Sequence, residues 1–84
     1  MAAKTPCLTV LSRDYCHLCD EMIEQLQGLQ DASGFAFEVR DVDQHPALEA
    51  RFGERVPVLL GGEEELCHYR LDVPALNAWL AKFR

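Results

Sequence analysis

Leu8-Thr9-Val10-Leu11-Ser12, then after Arg13-Asp14 the run Tyr15-Cys16-His17-Leu18-Cys19-Asp20, is the stretch whose reading decides the fold. The first run is short, apolar and rich in strand formers, whereas Leu18, Met22, Ile23, Leu26 and Leu29 recur at helical spacing. The two cysteines therefore stand where a strand gives way to an amphipathic helix. A sulfur in the first turn of a helix faces unpaired backbone N–H groups and the positive end of the macrodipole, and both favour thiolate over thiol. Cys16 is the expected nucleophile, with a pKa below the free value of about 8.5. Cys19 lies one turn further along the same side, in reach of a mixed disulfide formed at Cys16.

Working outward, 84 residues make one domain, residues 1–84, with a single core. Hydrophobic residues are 49% of the chain and charged residues 26%, which fits a folded globular protein. A net charge of −6 with no basic patch excludes nucleic acid and anionic membrane surfaces as expected partners. Met1-Ala2-Ala3-Lys4-Thr5-Pro6 leads into the first strand without a secretory pattern, so a cytoplasmic location is expected. In that reducing compartment four cysteines point to redox chemistry, metal binding or plain thiols more than to a disulfide framework.

Along the chain, strand and helix alternate. The first helix runs to about Asp31 and is stopped by Ser33-Gly34. Phe35 to Arg40 alternates as a second strand, with Phe35, Phe37 and Val39 on one face. A strand, a crossover helix and a second strand give a right-handed parallel pair. Asp43 is expected to cap a short second helix with Leu48 and Phe52 inward, and Gly53 to take a left-handed conformation after it. Val56 to Leu60 reads as a third strand, Gly61-Gly62 as a tight turn, and Glu63 to Tyr69 as an antiparallel fourth strand with a Glu-rich, exposed start. Asp72 caps a last helix with Pro74 in its first turn. Leu76, Trp79, Leu80 and Phe83 form its stripe, and Lys82 and Arg84 suit its C-terminal end.

The order βαβαββα, with Cys-x-x-Cys after the first strand and Val56-Pro57 before the third, resembles glutaredoxin. Leu11 to Cys19 resembles that family's strand, basic residue, aromatic and Cys-Pro-Tyr-Cys segment, and Arg55-Val56-Pro57-Val58-Leu59 its Thr-Val-Pro segment. Asp41-Val42-Asp43, Phe52-Gly53 and the closing helix extend the likeness over the whole chain, most closely to short bacterial glutaredoxin-like proteins. The resemblance implies an α/β minimal thioredoxin fold, a four-stranded mixed sheet in order 2-1-3-4 with helices on both faces, and a cis Val56-Pro57 bond. It also implies a glutathione or substrate site of Arg13, Tyr15, His17, Val56, Pro57 and Asp72. Two departures bear on that site: His17-Leu18 replaces Pro-Tyr, and Arg70-Leu71 replaces the Gly-Gly that lets glutathione approach the backbone. Glutathione is thus a possible co-substrate whose binding is expected to be weakened.

The expected activity is thiol–disulfide exchange on protein or small-molecule disulfides by a monomer without a tightly bound cofactor, Cys16 attacking and Cys19 resolving. Electrons would come from glutathione or a thioredoxin-type reductase. Two rivals of other classes stand beside it: a non-catalytic binding module using the Val56-Pro57 groove, and a metal or iron–sulfur carrier using Cys16. Zinc would need two ligands beyond the motif, and Cys67-His68 is the one other cluster in the sequence, so no metal ligands are assigned. Protonated His17 could support the Cys16 thiolate, while Asp14, Asp20, Glu21 and Glu24 oppose it. Cys7 and Cys67 read as buried structural thiols, His45 and His68 as surface residues, and Trp79 as core.

Overall fold

The computed structural model describes residues 5–83; the expectations placed on Met1 to Lys4 and on Arg84 lie outside the described residues. Four strands form one sheet: β1 (Cys7–Ser12), β2 (Ala36–Asp41), β3 (Val58–Gly61) and β4 (Glu64–His68), in the order β2-β1-β3-β4. β1 pairs in parallel with β2 and antiparallel with β3, and β3 pairs antiparallel with β4. The helices are α1 (His17–Ser33), α2 (Pro46–Phe52) and α3 (Val73–Leu80). The expected order and mixed sheet are both present. Among the described residues no helix is long and apolar enough to cross a membrane.

Side-chain alternation along the two inner strands divides the core. Leu8 and Val10 of β1 and Leu59 of β3 point to one side, where Met22 and Leu26 of α1 and Leu76, Trp79 and Leu80 of α3 cover them. Leu11, Val58 and Leu60 point to the other and meet Val42 and Phe52. The fully buried aliphatic side chains each contribute roughly 1.5–3 kcal/mol relative to exposure. α1 ends where expected, at Gly34, whose φ of 68° is left-handed and whose N–H reaches the Gln30 carbonyl.

Several local expectations are corrected. Asp43 caps no helix: Asp41 accepts from the Asp43 N–H and opens a 3-10 turn over Val42–Gln44, and α2 begins at Pro46 after His45, which makes no side-chain cap. Asp43 is turned to Arg13 instead. Gly53 is right-handed, with φ −54° and ψ −34°, and leads into a further 3-10 turn. A Cβ there would meet the end of the Glu49 side chain, which would have to shift to make room for it. Phe35, Phe37 and Val39 share a face, but the core reaches only the first two; Val39, on an edge strand, is 46% exposed. Phe83 lies half-exposed beyond α3 with its ring 4.7 Å from that of Trp79. Cys7 is exposed and Cys67 half-buried, so the pair is not the buried pair expected.

The β3–β4 turn uses its two glycines for different reasons. Gly62 has a φ of 64°, as a tight turn requires, whereas Gly61 is in the strand and faces the Trp79 indole. A Cβ on Gly61 would lie 2.5 Å from Trp79 Cε2 and Nε1. Gly61→Ala should therefore cost about 1–3 kcal/mol by overpacking. Gly28→Ala, on the exposed side of α1 with nothing near its would-be Cβ, should add about 0.5–1 kcal/mol. Urea unfolding of the two variants followed by Trp79 fluorescence checks both signs.

Candidate functional site

At the end of β1 the chain leaves the sheet through Arg13, Asp14 and Tyr15 and enters α1 with Cys16 as its N-cap, at φ −104° and ψ 103°. Tyr15 makes the bend with a φ of 59° and is fully exposed. Such a non-glycine left-handed residue is uncommon, and it aims the next residue at the helix start. The Cys16 sulfur occupies the place of a capping oxygen. The Cys19 N–H donates to it at 3.1 Å, and the Asp20 N–H donates to the Cys16 carbonyl at 3.2 Å. Sulfur Sγ of Cys16 is bonded to that of Cys19 in a disulfide, with Cα atoms 5.2 Å apart. The two differ in access: Cys16 is half-buried at the surface, whereas Cys19 is 1% exposed. His17 is exposed beside them.

The register Leu11↔Val58 sets the residues before β3 alongside the exit of β1, so Val56 and Pro57 share the motif's end of the sheet. The Val56-Pro57 bond is cis, as the resemblance implied, with Val56 half-buried and Pro57 buried. The Tyr69 N–H donates to the Pro57 carbonyl at 2.8 Å and its hydroxyl to the Glu54 carbonyl at 3.2 Å. Tyr69 thereby ties the segment around Pro57 to the residues leading into α3. Its φ of 65° is unusual for an aromatic side chain, and nothing in the local sequence marks it. Asp72 caps α3 as expected, accepting from the Ala75 N–H at 3.1 Å. Between α1 and this segment lies a cavity of about 170 Å³, lined by Leu18, Glu21 and Gln25 on one side and Tyr69, Arg70 and Leu71 on the other. The side chains that replace Gly-Gly thus form one of its walls.

The Arg13 guanidinium is engaged within the protein. Its Nη2 donates to Asp43 Oδ1 at 2.9 Å and to Glu49 Oε2 at 3.0 Å, its Nε to Asp43 Oδ2 at 3.3 Å, and its Nη1 to the Gly53 carbonyl at 3.2 Å. The hydrogen bond to Asp43 first, and then that to Glu49, push its pKa further up. These partners are 30 to 40 positions away in sequence, and no spacing rule finds them.

Cys67, on β4 opposite Leu59, faces the side covered by α1 and α3. Burial pushes its thiol pKa up, and the Asp72 and Glu65 charges add to this, while a hydrogen bond from the Asp72 backbone works against it. Its neighbour His68 is engaged through Nδ1 with Glu65 Oε2 at 2.9 Å. Among the described residues no three His, Cys, Asp or Glu side chains converge as metal ligands.

A family model described as glutaredoxin-like domain (DUF836) matches residues 7–81. An uncharacterized protein of Mycobacterium tuberculosis is 34% identical over 82 residues, covering 92% of this chain and 84% of that one. A solution structure of a protein from Nitrosomonas europaea superposes with a TM-score of 0.84 at 40% identity, covering 94% of this chain and 95% of that one. A crystal structure of a protein from X. campestris does so with 0.68 at 42%, covering 89% and 96%. Thioredoxin 1 of Thermosipho africanus, at 20% identity, TM-score 0.60 and 92% coverage of each chain, shares the fold.

The environments of the sulfurs predict distinct reactivities. In reduced protein Cys16 should be alkylated at least about tenfold faster than Cys19, in line with its access. Cys67, its thiolate disfavoured by burial, should react slowly at neutral pH and gain rate only at a pH above the usual thiol range of about 8.5. Iodoacetamide labelling across pH with peptide mass mapping measures all of these.

Proposed function

This chain belongs to the glutaredoxin-like domain family, and from that premise we propose that it is a dithiol thiol–disulfide oxidoreductase in which Cys16 attacks and Cys19 resolves. The observation that carries the reading is the asymmetry of the pair: one sulfur at the surface as the cap of α1, the other buried one turn behind it and within bonding reach.

The Cys16 thiolate attacks one sulfur of a substrate disulfide, forming a mixed disulfide and expelling the other substrate sulfur as a thiolate, which takes up a proton. Cys19 then loses its proton and attacks Cys16 Sγ, releasing the second substrate sulfur and closing the Cys16–Cys19 disulfide. The substrate has gained two electrons and two protons, which two external thiol groups return to the protein in the reverse sense. The Cys19 N–H aimed at Cys16 Sγ favours the thiolate when Cys16 attacks and when it leaves. Val56, next to Pro57, offers its backbone to an extended substrate, with Tyr15, His17 and Asp72 around it. Glutathione fits this cycle as a weakly held co-substrate, and a thioredoxin-type reductase as the alternative donor. The reducing pool of the cytoplasm would keep the pair open between turnovers, with a monomer acting on protein or small-molecule disulfides.

Replacing each cysteine in turn tests the roles. Cys16→Ser should lose disulfide reduction altogether. Cys19→Ser should form a mixed disulfide and hold it, seen as a stoichiometric adduct by intact mass. Reversed phenotypes, or peptide maps of the oxidised protein showing a Cys7–Cys67 link with Cys16 and Cys19 free, would overturn the assignment.

A further inference from the structure

The cation nearest the motif in sequence is occupied by the protein itself. Arg13, three residues before Cys16, is bound through Nε, Nη1 and Nη2 to Asp43, Glu49 and the Gly53 carbonyl, and Gly53 lacks a side chain where one would meet Glu49 and Arg13. Two carboxylates on one guanidinium leave that cluster with a net negative charge. The contacts join the exit of β1 to the 3-10 turn before α2, to the middle of α2 and to the residue after it, and so hold the bend that delivers Tyr15 and Cys16. Around the motif itself Asp14, Asp20, Glu21 and Glu24 are exposed, and Arg70 lines the same groove as Glu21 and Glu24.

We infer that Arg13 is a positioning residue and not an anchor for a substrate anion, and that the site therefore selects thiols and disulfides whose flanks are neutral or cationic. The inference rests on the redox reading and names its substrate class. An anion approaching Cys16 would have to displace Asp43 or Glu49 from Arg13, or meet four exposed carboxylates, two of which share their groove with the Arg70 guanidinium. A cationic flank meets those carboxylates with opposite charge. Specificity of this kind comes as much from repulsion of the wrong partner as from attraction of the right one.

The experiment is a charge series of monothiols opening the Cys16–Cys19 disulfide of the intact protein. Glutathione, its diethyl ester and cysteamine are compared per thiolate, with Trp79 fluorescence and mass spectrometry as readouts. The ester should react about threefold or more faster than glutathione, and cysteamine faster still. Raising salt from about 0.01 M to about 1 M, which shortens the Debye length from about 30 Å to about 3 Å, should narrow the differences. The double variant Asp43→Asn with Glu49→Gln frees Arg13 and should shift the ratio toward glutathione, a change that a merely structural role of the two carboxylates would not produce. If the variant does not fold, the wild-type series and its salt dependence still decide the matter. A wild-type preference for glutathione over its ester that disappears in Arg13→Met would overturn the inference, making Arg13 an anion anchor after all. If none of the thiols opened a disulfide that a phosphine reductant opens readily, the redox reading itself would fall and the inference with it.

Discussion

Everything in this molecule follows from the desolvation of β1. Leu8, Val10 and Leu11 are without solvent exposure, the backbone is bonded on both sides, and each face is covered by a different set of helices. A strand held so completely can meet a reactant only at its ends. At its C-terminal end the chain must turn through three residues into α1, and the first helical N–H groups, left without intrahelical partners, open toward that bend. A residue placed there is half in the core and half in solvent, which is the condition for two neighbouring sulfurs to differ in access.

At Cys16 the structural and chemical demands fall on one atom. Helix starts are ordinarily closed by an oxygen of Ser, Thr, Asp or Asn, as Asp72 closes α3. α2 does without a side-chain cap and begins on Pro46, whose missing N–H removes one of the groups that would need a partner. α1 gives the capping position to sulfur, a weaker acceptor when protonated and a stronger one as thiolate. The helix start and the ionised sulfur therefore stabilise each other.

Features set by neighbours in sequence were legible there: the strand-to-helix junction at Cys16, the stop at Gly34, the turn at Gly62 and the cap at Asp72. The sheet order and the cis bond before Pro57 came from the family likeness, because neither composition nor periodicity encodes them. What could not be read depends on partners far along the chain. Asp43 has the composition of a cap, but a guanidinium 30 positions earlier competes for it. Gly53 sits where a left-handed glycine ends many helices, yet the chain there stays right-handed and continues into a 3-10 turn beside the ends of the Glu49 and Arg13 side chains. Val39 continues a sound alternation past the point where helices cover the strand. Tyr69, which ties Pro57 and Glu54 to the approach to α3, looks like any aromatic residue of a strand end.

On β2, Glu38 bonds Arg40 and is within 3.4 Å of the Thr9 hydroxyl, and on β4 Glu64 meets Lys82 while Glu65 meets Arg55 and His68. Each free edge of the sheet is thus flanked by ion pairs that sit comfortably in water and poorly under another chain. A strand arriving to extend the sheet would have to strip these groups of solvent before its first backbone bond formed. Among the described residues β2 and β4 are the outer strands of the sheet, and their paired charges disfavour its lateral growth by a further strand.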